Sequence, residues 1–304
     1  MKKLSIILIL TLIGVMNAQW LETTIYVPDS LCGLENPQAF VYNETNNKIY
    51  VGGTYDYWVI VVDGATDNKI ARIPVGSDVR AICWNSINNK IYCANYASSS
   101  VTVIDGALDS VISTISVGNH PLDLVYNPIN NKIYCVNHYA NSVMVIDGAT
   151  DSIITTLLVE DGSQALVYNS NDNKVYCANG ASDNVTVIDG VADTVITTIP
   201  AEDGPCALVY NPTNNKVYCG NERSDNVTVI DGMSNDVITT IPTGDGPCAL
   251  IYNPNDNKVY CTNGASDNVT VIDGATNSVM TTIPTGDGPC ALIYNPNDNK
   301  VYCT

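Results

Sequence analysis

The sequence predicts an all-β fold built from tandem copies of one antiparallel unit, and two observations carry this prediction. The first is a strict period: "NPNDNKVYC" stands at 253–261 and again at 295–303, and an aromatic-Asn pair recurs every 42 residues between Tyr42 and Tyr294. The second is residue type, because Val, Ile, Thr and Tyr fill segments that Asn, Asp, Gly and Pro punctuate. No sustained 3.6-residue apolar period follows the N-terminal segment, which argues against helical repeats of similar length.

One repeat unit can be divided into four strands. These are "CALVYN" (206–211), "KVYCGN" (216–221), "NVTVIDG" (226–232) and "DVITTIP" (236–242), joined by the turns "PTNN" and "ERSD" and by one loop. A unit of this length matches a four-stranded propeller blade and is too small to fold alone. We therefore expect stacked blades, in which near-copies are tolerated because every blade meets almost the same neighbours.

The second and third strands of a unit have a predicted hairpin register. If Asn221 faces Asn226, then Tyr218 faces Val229 and Lys216 faces Asp231. The same 15-residue Lys-to-Asp offset recurs in other units, at Lys90 and Asp105, Lys132 and Asp147, Lys174 and Asp189, and Lys258 and Asp273. We interpret this ladder as structural and not as catalytic.

Four short segments carry a resemblance to a known family. "YCAN" (92–95 and 176–179), "YCVN" (134–137) and "YCTN" (260–263) resemble the namesake motif of the YVTN family of β-propeller repeats, and the likeness covers about 37–304. The resemblance implies a seven-bladed ring of four-stranded antiparallel blades and an exported or cell-surface protein. Because six full units and part of a seventh are visible, we expect the last blade to be incomplete at the C-terminus.

A strand count suggests how the ring would close. "TTIYV" (23–27) is similar to the fourth strand "TTIPT" (239–243), and with it the chain offers 27 strands where seven blades of four need 28. We expect residues 23–27 to supply the outer edge of the last blade, whose third strand would follow Thr304. The hypothesis treats the chain as a fragment cut before closure.

The N-terminal segment is typical of a secretory signal. "MKKLSIILILTLIGVMNAQ" begins with two lysines, continues as an apolar run and carries a small residue at Ala18, so we predict a signal peptide at 1–18 and a β-propeller domain at 19–304 with repeats from about 37. The apolar run is shorter than the ~20 residues that a spanning helix needs. The mature protein is expected to be exported, to the periplasm, the cell surface or the medium, without a transmembrane segment.

Charge and composition limit the classes of partner. The formal net charge is −18, which repels phosphate backbones and anionic lipid, so nucleic acid is not an expected partner. Apolar residues make up 45% of the chain, enough for a large core.

Most of the 11 cysteines follow the repeat. One set occupies equivalent places in successive units, and sheets packed ~10 Å apart cannot join such places by disulfides. A second set opens first strands and allows two interpretations, free thiols filling the core or cysteines approaching the first set of an adjacent blade. The first set is Cys93, Cys135, Cys177, Cys219, Cys261 and Cys303, the second is Cys206, Cys248 and Cys290, and Cys32 and Cys83 belong to neither. The sequence leaves their redox state open.

The only two histidines, His120 and His138, both fall in the third unit and break its repeat pattern. His120 lies in the predicted loop before a first strand and His138 in the turn after a second strand, two loops that share one face of the disc. The pair could act as a general base or as metal ligands, as in propeller lyases and lactonases. The alternative is surface variation in one unit.

Acidic residues recur on the same predicted face. They come from the links between units, at Asp161, Asp203, Asp245 and Asp287, and from the second turns, at Asp183, Asp225 and Asp267. Such a rim could bind Ca²⁺ or a basic ligand, although the spacing of an EF-hand loop is absent. The alternative is turn chemistry, because Asp before Gly or Asn suits tight links. No other cofactor is predicted.

The near-identity of the repeat units favours a non-enzymatic function. Residues 240–261 and 282–303 are identical over 22 positions, whereas a catalytic site needs different groups from different blades. We therefore expect a non-enzymatic scaffold or binding module for a protein or a cell-envelope component. The alternatives are a lactonase-like or lyase-like enzyme using His120 and His138, and a sensor of a metal or small molecule at the acidic rim.

Overall fold

The structure is a computed structural model that describes residue 34 and residues 36–304. The predicted signal peptide and the predicted strand at 23–27 lie outside the described residues. The proposed closure of the ring by an N-terminal strand therefore stays a prediction.

The described chain forms six four-stranded antiparallel sheets and one two-stranded sheet, which confirms the predicted all-β propeller with a seventh blade that is incomplete. In each four-stranded sheet the strands lie side by side in chain order. A short 3-10 helix, His138–Ala140, is the one interruption among the described strands. The strands are, in blade 1, β1 Asn36–Asn43, β2 Lys48–Thr54, β3 Trp58–Asp63 and β4 Lys69–Pro74; in blade 2, β5 Val79–Asn85, β6 Lys90–Asn95, β7 Ser100–Asp105 and β8 Ser110–Ser116; in blade 3, β9 Pro121–Asn127, β10 Lys132–Asn137, β11 Ser142–Asp147 and β12 Ile153–Leu158; in blade 4, β13 Ser163–Asn169, β14 Lys174–Asn179, β15 Asn184–Asp189 and β16 Thr194–Pro200; in blade 5, β17 Pro205–Asn211, β18 Lys216–Asn221, β19 Asn226–Asp231 and β20 Val237–Pro242; in blade 6, β21 Pro247–Asn253, β22 Lys258–Asn263, β23 Asn268–Asp273 and β24 Ser278–Pro284; and in blade 7, β25 Leu292–Asn295 and β26 Lys300–Cys303.

The first strands of successive blades contact one another from blade 1 to blade 7, so these strands lie innermost. The core consists of the layers between blades, where apolar side chains of second and third strands meet those of the next sheet. Between blades 2 and 3, for example, Tyr92 and Val103 pack with Ile133 and Cys135, all fully buried.

Each described cysteine is a free thiol. Among the described residues no helix has the length and apolar character needed to cross a membrane.

The hairpin register is confirmed, but the lysines bind different partners from those that the register suggests. Lys216 lies opposite Asp231 and Asn221 opposite Asn226, as predicted. In the equivalent hairpin of blade 3, however, Lys132 Nζ binds Asp193 Oδ2 of the next blade at 2.7 Å. The aspartate opposite Lys132, Asp147, accepts hydrogen bonds from the backbone of its own turn. The ladder is structural, and it joins blades.

A buried tyrosine completes each of these connections. Tyr134 is fully buried and donates its hydroxyl to Asp193 Oδ1 at 2.9 Å. Burial, and then the neighbouring Asp193 carboxylate, raise the pKa of Tyr134, which keeps the hydroxyl protonated as a donor. One lysine and one tyrosine therefore bind a single side chain of the following blade. The acceptors along the ring are Asp109, Asp151, Asp193, Asn235 and Asn277.

The recurring Tyr-Asn pair also connects blades. Asn127 is fully buried, and its Oδ1 accepts hydrogen bonds from Ile129 N (3.0 Å) and Asn130 N (3.3 Å), which closes the turn after the first strand. Its Nδ2 donates to Asn173 Oδ1 of blade 4 at 2.8 Å, and Asn173 Nδ2 donates back to Asn130 Oδ1 at 3.0 Å. The 42-residue rhythm of asparagines thus satisfies buried polar groups both within and between blades.

Candidate ligand site on the upper face

Two kinds of loop meet on one face of the disc. Between blades 4 and 5, Gly204 N donates to Asp183 Oδ1 at 3.0 Å, and Asp203 N donates to Ser224 Oγ at 2.7 Å. Asp183 and Ser224 lie in the turns between second and third strands of blades 4 and 5. The links between blades and these turns therefore share a face, which we call the upper face.

The aspartates proposed as calcium ligands lie on separate links of this face. The side chains of Asp161, Asp203, Asp245 and Asp287 are all exposed. The Asp161 carboxylate accepts a hydrogen bond from Asn141 Nδ2. Asp183, Asp225 and Asp267 accept backbone N–H groups from Gly204, Gly246 and Gly288. In the part of the chain that the structure describes, no three His, Cys, Asp or Glu side chains converge as metal ligands would.

The two histidines are brought together around one tyrosine. His138 N donates to His120 O at 3.0 Å, and both imidazole rings lie with their centroids 4.8 Å from that of Tyr139. The His120 ring also contacts Tyr96 at 4.4 Å, and the Arg80 guanidinium lies 5.1 Å from the Tyr96 ring. Arg80, Tyr96, His120, Tyr139 and His138 thus form a continuous row, which we call the aromatic stack.

His120 is held in an unfavourable backbone conformation. Its φ is 59°, at a place where the links before blades 4 to 7 carry glycine. Among the residues that the structure describes, none forms a hydrogen bond with its buried Nδ1. The contacts with Tyr96 and Tyr139 hold the ring despite both costs.

A hydrogen bond to the main chain fixes which ring nitrogen of His138 carries a proton. Its Nδ1 lies 2.8 Å from the carbonyl oxygen of Ser163. Because a carbonyl oxygen only accepts hydrogen bonds, Nδ1 carries the proton and donates it. In the neutral ring the lone pair is therefore on Nε2.

A cavity of about 430 Å³ lies beside the aromatic stack. It spans blade 4, between large side chains contributed by blades 3 and 5. The dipeptides 138–139, 180–181 and 222–223 occupy equivalent places in successive units, as His-Tyr, Gly-Ala and Glu-Arg. The small pair in the middle leaves the space between the two large pairs. The lining residues are His138, Tyr139, Asn141, Gly162, Gln164, Gly180, Ala181, Gly204, Glu222 and Arg223.

Arg223 is fixed against the cavity by backbone groups of blade 4. Its Nη2 donates to Gly180 O at 2.9 Å, and its side chain crosses Gly204, where an added Cβ would lie 3.1 Å from Arg223 Cγ. Gly204 has a φ of +74°, which a residue with a side chain rarely adopts. Gln164 is also held, since its Nε2 donates to Pro205 O at 2.8 Å.

One further polar residue breaks the repeat on an innermost strand. Asp123 stands where the equivalent position of each other unit carries alanine. Its carboxylate accepts hydrogen bonds from Leu124 N and from Leu166 N of the next blade, both at 2.8 Å. Burial raises the pKa of Asp123 to about 6, and these two hydrogen bonds oppose the shift.

Tyr139, Glu222, Arg223 and Asp123 were not predicted as site residues from the sequence. A signal was present for Asp123, because it departs from an otherwise regular 42-residue pattern of alanines. Tyr139, Glu222 and Arg223 lie at turn positions that vary from unit to unit, so the repeat did not single them out.

A ring of four-stranded antiparallel sheets defines a β-propeller protein. In this propeller the candidate site is a cavity on the upper face. The family description "YNCE-like beta-propeller" matches residues 128–304, more than half of the chain, and the protein belongs to that family. A repeat of the YVTN type is consistent with this match. No curated protein matches the chain.

Among solved structures the chain is similar to one described as Kuenenia stuttgartiensis Hydrazine Synthase. The TM-score is 0.73 at 17% sequence identity, and the match covers 94% of this chain and 99% of that chain. At this level of identity the likeness shows the fold alone.

Proposed function

We propose that the protein is an exported, non-enzymatic β-propeller that binds a partner on its upper face, at the cell surface or in the periplasm. The partner class is a protein or another component of the cell envelope. The observation that carries the proposal is the cavity over blade 4, where repeat-breaking side chains of blades 3 and 5 meet. The signal-like N-terminal segment supports export.

The contacts of the two histidines favour binding over catalysis. His120 packs edge-on between Tyr96 and Tyr139, and His138 donates Nδ1 to the main-chain carbonyl of Ser163. Both interactions fix the shape of the surface. A rigid surface lowers the entropy lost when a partner binds.

The repeat supplies a matched pair of variants to test the proposal. Ala181→Trp fills the cavity, whereas Ala265→Trp places the same side chain at the equivalent exposed position of blade 6. We expect cell fractionation to place the full chain outside the cytoplasm. We also expect the purified protein to retain an envelope component that Ala265→Trp retains and Ala181→Trp loses. A cytoplasmic location, or equal retention by both variants, would contradict the proposal.

A lactonase-like or lyase-like enzyme is the second candidate. One observation favours it: His138, Glu222 and Arg223 line the same cavity, so a potential base, an acid and an anion-binding group are close together. Turnover of a lactone by the wild-type protein that is abolished in His138→Gln and unchanged in Ala265→Trp would establish it.

Calcium binding at the acidic rim is a separate proposal, supported by the exposed carboxylates of Asp161, Asp203, Asp245 and Asp287. If the rim binds calcium, we expect millimolar Ca²⁺ to raise the melting temperature of the protein and EDTA to reverse this rise. Equal melting temperatures with Ca²⁺ and with EDTA would contradict it.

A further inference from the structure

We infer that the cavity over blade 4 binds a saccharide that carries a carboxylate, such as a uronate unit. This inference rests on the proposed binding function and specifies the ligand class. The groups that line the cavity require three properties of one ligand: a flat apolar face, a single negative charge and several hydroxyl groups.

Tyr139 provides a surface for the flat face. Its side chain is 65% exposed, although its ring is contacted by both His120 and His138. The stack continues through Tyr96 to Arg80, which forms a two-point ion pair with Asp78 at 2.8 and 3.2 Å. An exposed aromatic ring held in this way loses little freedom when a pyranose ring stacks on it.

Arg223 selects a negative charge. Its guanidinium group has five N–H donors in a planar arrangement, and the hydrogen bond from Nη2 to Gly180 O fixes its direction. A carboxylate is the planar anion that matches this geometry with two parallel hydrogen bonds. Arg223 lies opposite Tyr139 across the small pair of blade 4, so one ligand can contact both.

Glu222 disfavours a ligand with more than one negative charge and favours a ligand that has hydrogen-bond donors. Its exposed carboxylate accepts hydrogen bonds and repels a second negative charge. The protein as a whole has a formal charge of −18, which further disfavours a polyphosphate. His138 adds an acceptor at Nε2 in its neutral form. Sugar hydroxyls donate to such acceptors, whereas an unsubstituted aromatic carboxylate such as benzoate has no donor to offer.

The polar lining favours a sugar acid over a free amino acid. An amino acid would satisfy Arg223 and Glu222 with its two charged groups, but Gln164, Asn141 and His138 also line the cavity. A hydroxyl-rich ring offers partners to all of these groups. The cavity volume of about 430 Å³ lies within the ~300–1,000 Å³ that small-molecule sites occupy.

The test uses galacturonate and glucuronate, each against its neutral hexose, with binding to the full chain measured by ligand-observed NMR titration at pH 7. Each pair differs at C6 alone, so the comparison isolates the carboxylate. We expect wild type and Ala265→Trp to bind at least one uronate about tenfold more tightly than its hexose. We expect Ala181→Trp to lose binding, and Arg223→Gln to bind uronate and hexose equally. Circular dichroism melting curves establish that the variants fold.

Several results would overturn the inference. These are absence of uronate binding to the wild type, equal affinity for uronate and hexose, unchanged uronate binding by Ala181→Trp, and tighter binding of free tyrosine or glutamate than of either uronate. If no uronate binds but an envelope component is still retained by the wild type and lost by Ala181→Trp, the sugar-acid inference is wrong and the binding function stands. If neither uronate nor envelope component binds, both are wrong.

Discussion

At the scale of single residues, the buried tyrosine of the second strand allows charged and neutral acceptors to be compared in one fold. Tyr92 donates to the Asp151 carboxylate at 2.6 Å, and Tyr176 donates to the Asn235 amide oxygen at 3.0 Å. We expect Tyr92→Phe to lower the free energy of unfolding by about 2 kcal/mol and Tyr176→Phe by about 1 kcal/mol, because hydrogen bonds to charged groups are stronger.

Urea unfolding at an unchanged m value measures both differences. Equal losses in the two variants, or a larger loss for Tyr176→Phe, would contradict the account of these connections between blades.

Asp123 predicts a pH dependence of stability. Its pKa in the folded protein is raised to about 6, above the ~3.9 of an unfolded aspartate, so the folded state binds the proton more tightly. The contribution of Asp123 to the free energy of unfolding is therefore complete below about pH 4, and it is lost as the pH rises toward 6. Because the amide introduced by Asp123→Asn does not titrate, we expect the stability of this variant relative to wild type to rise by on the order of 1 kcal/mol from pH 4 to pH 8. A wild-type advantage that grows from pH 4 to pH 8 would contradict this assignment.

The lysine ladder shows what the sequence could predict at this scale. The backbone register of Lys132 and Asp147 follows from the hairpin alone and was predicted correctly. The partner of the lysine side chain was not, because Asp193 lies 61 residues further along the chain. Contacts of this kind depend on how neighbouring sheets pack, which a hairpin register does not specify.

At the scale of elements, the asparagine at the end of each first strand has two roles. Asn127→Ala removes both the acceptor that closes the turn and the donor to Asn173. We expect a loss of about 2–4 kcal/mol for Asn127→Ala, since unpaired buried polar groups are costly. Urea midpoints measure the loss, and a loss well below about 1 kcal/mol would be inconsistent with both roles.

Because the cysteines differ in burial, we expect alkylation of the native protein to be selective. Cys135 and Cys177 are fully buried between blades, and burial raises the pKa of both thiols. Cys290, at the entry to blade 7, is exposed. We expect iodoacetamide to modify Cys290 in the native protein and to reach Cys135 and Cys177 only after unfolding. Peptide mass spectrometry checks this, and early labelling of Cys135 would contradict the packing between blades.

The candidate site shows the limit of prediction from separate elements. The loops that carry His120 and His138 were placed on one face from strand order alone, and their backbones meet. The cavity depends on three consecutive blades, because the space over Ala181 exists only beside Tyr139 and Arg223. The positions of the two histidines alone therefore do not predict the cavity.

At the scale of the whole molecule, near-identity of the blades and the location of the site have one physical origin. Each sheet buries its faces against almost the same neighbours, so most positions are constrained to the same residues. Function can then be added where the repeat departs from its pattern without cost to the layers between blades. The departures at 138–139 and 222–223 lie on turns of the upper face, outside the core. The fold was predictable from the period, whereas the site required the ring.

These 42-residue units form a ring whose blades are joined laterally, because lysine and tyrosine side chains of one blade bind the next. A crystal structure of the full chain tests this arrangement most directly through the partner of Lys132. We expect Lys132 Nζ and the Tyr134 hydroxyl both to bind Asp193, with the first strands innermost. Lys132 bound to Asp147 of its own hairpin, or sheets arranged in an open line, would contradict it.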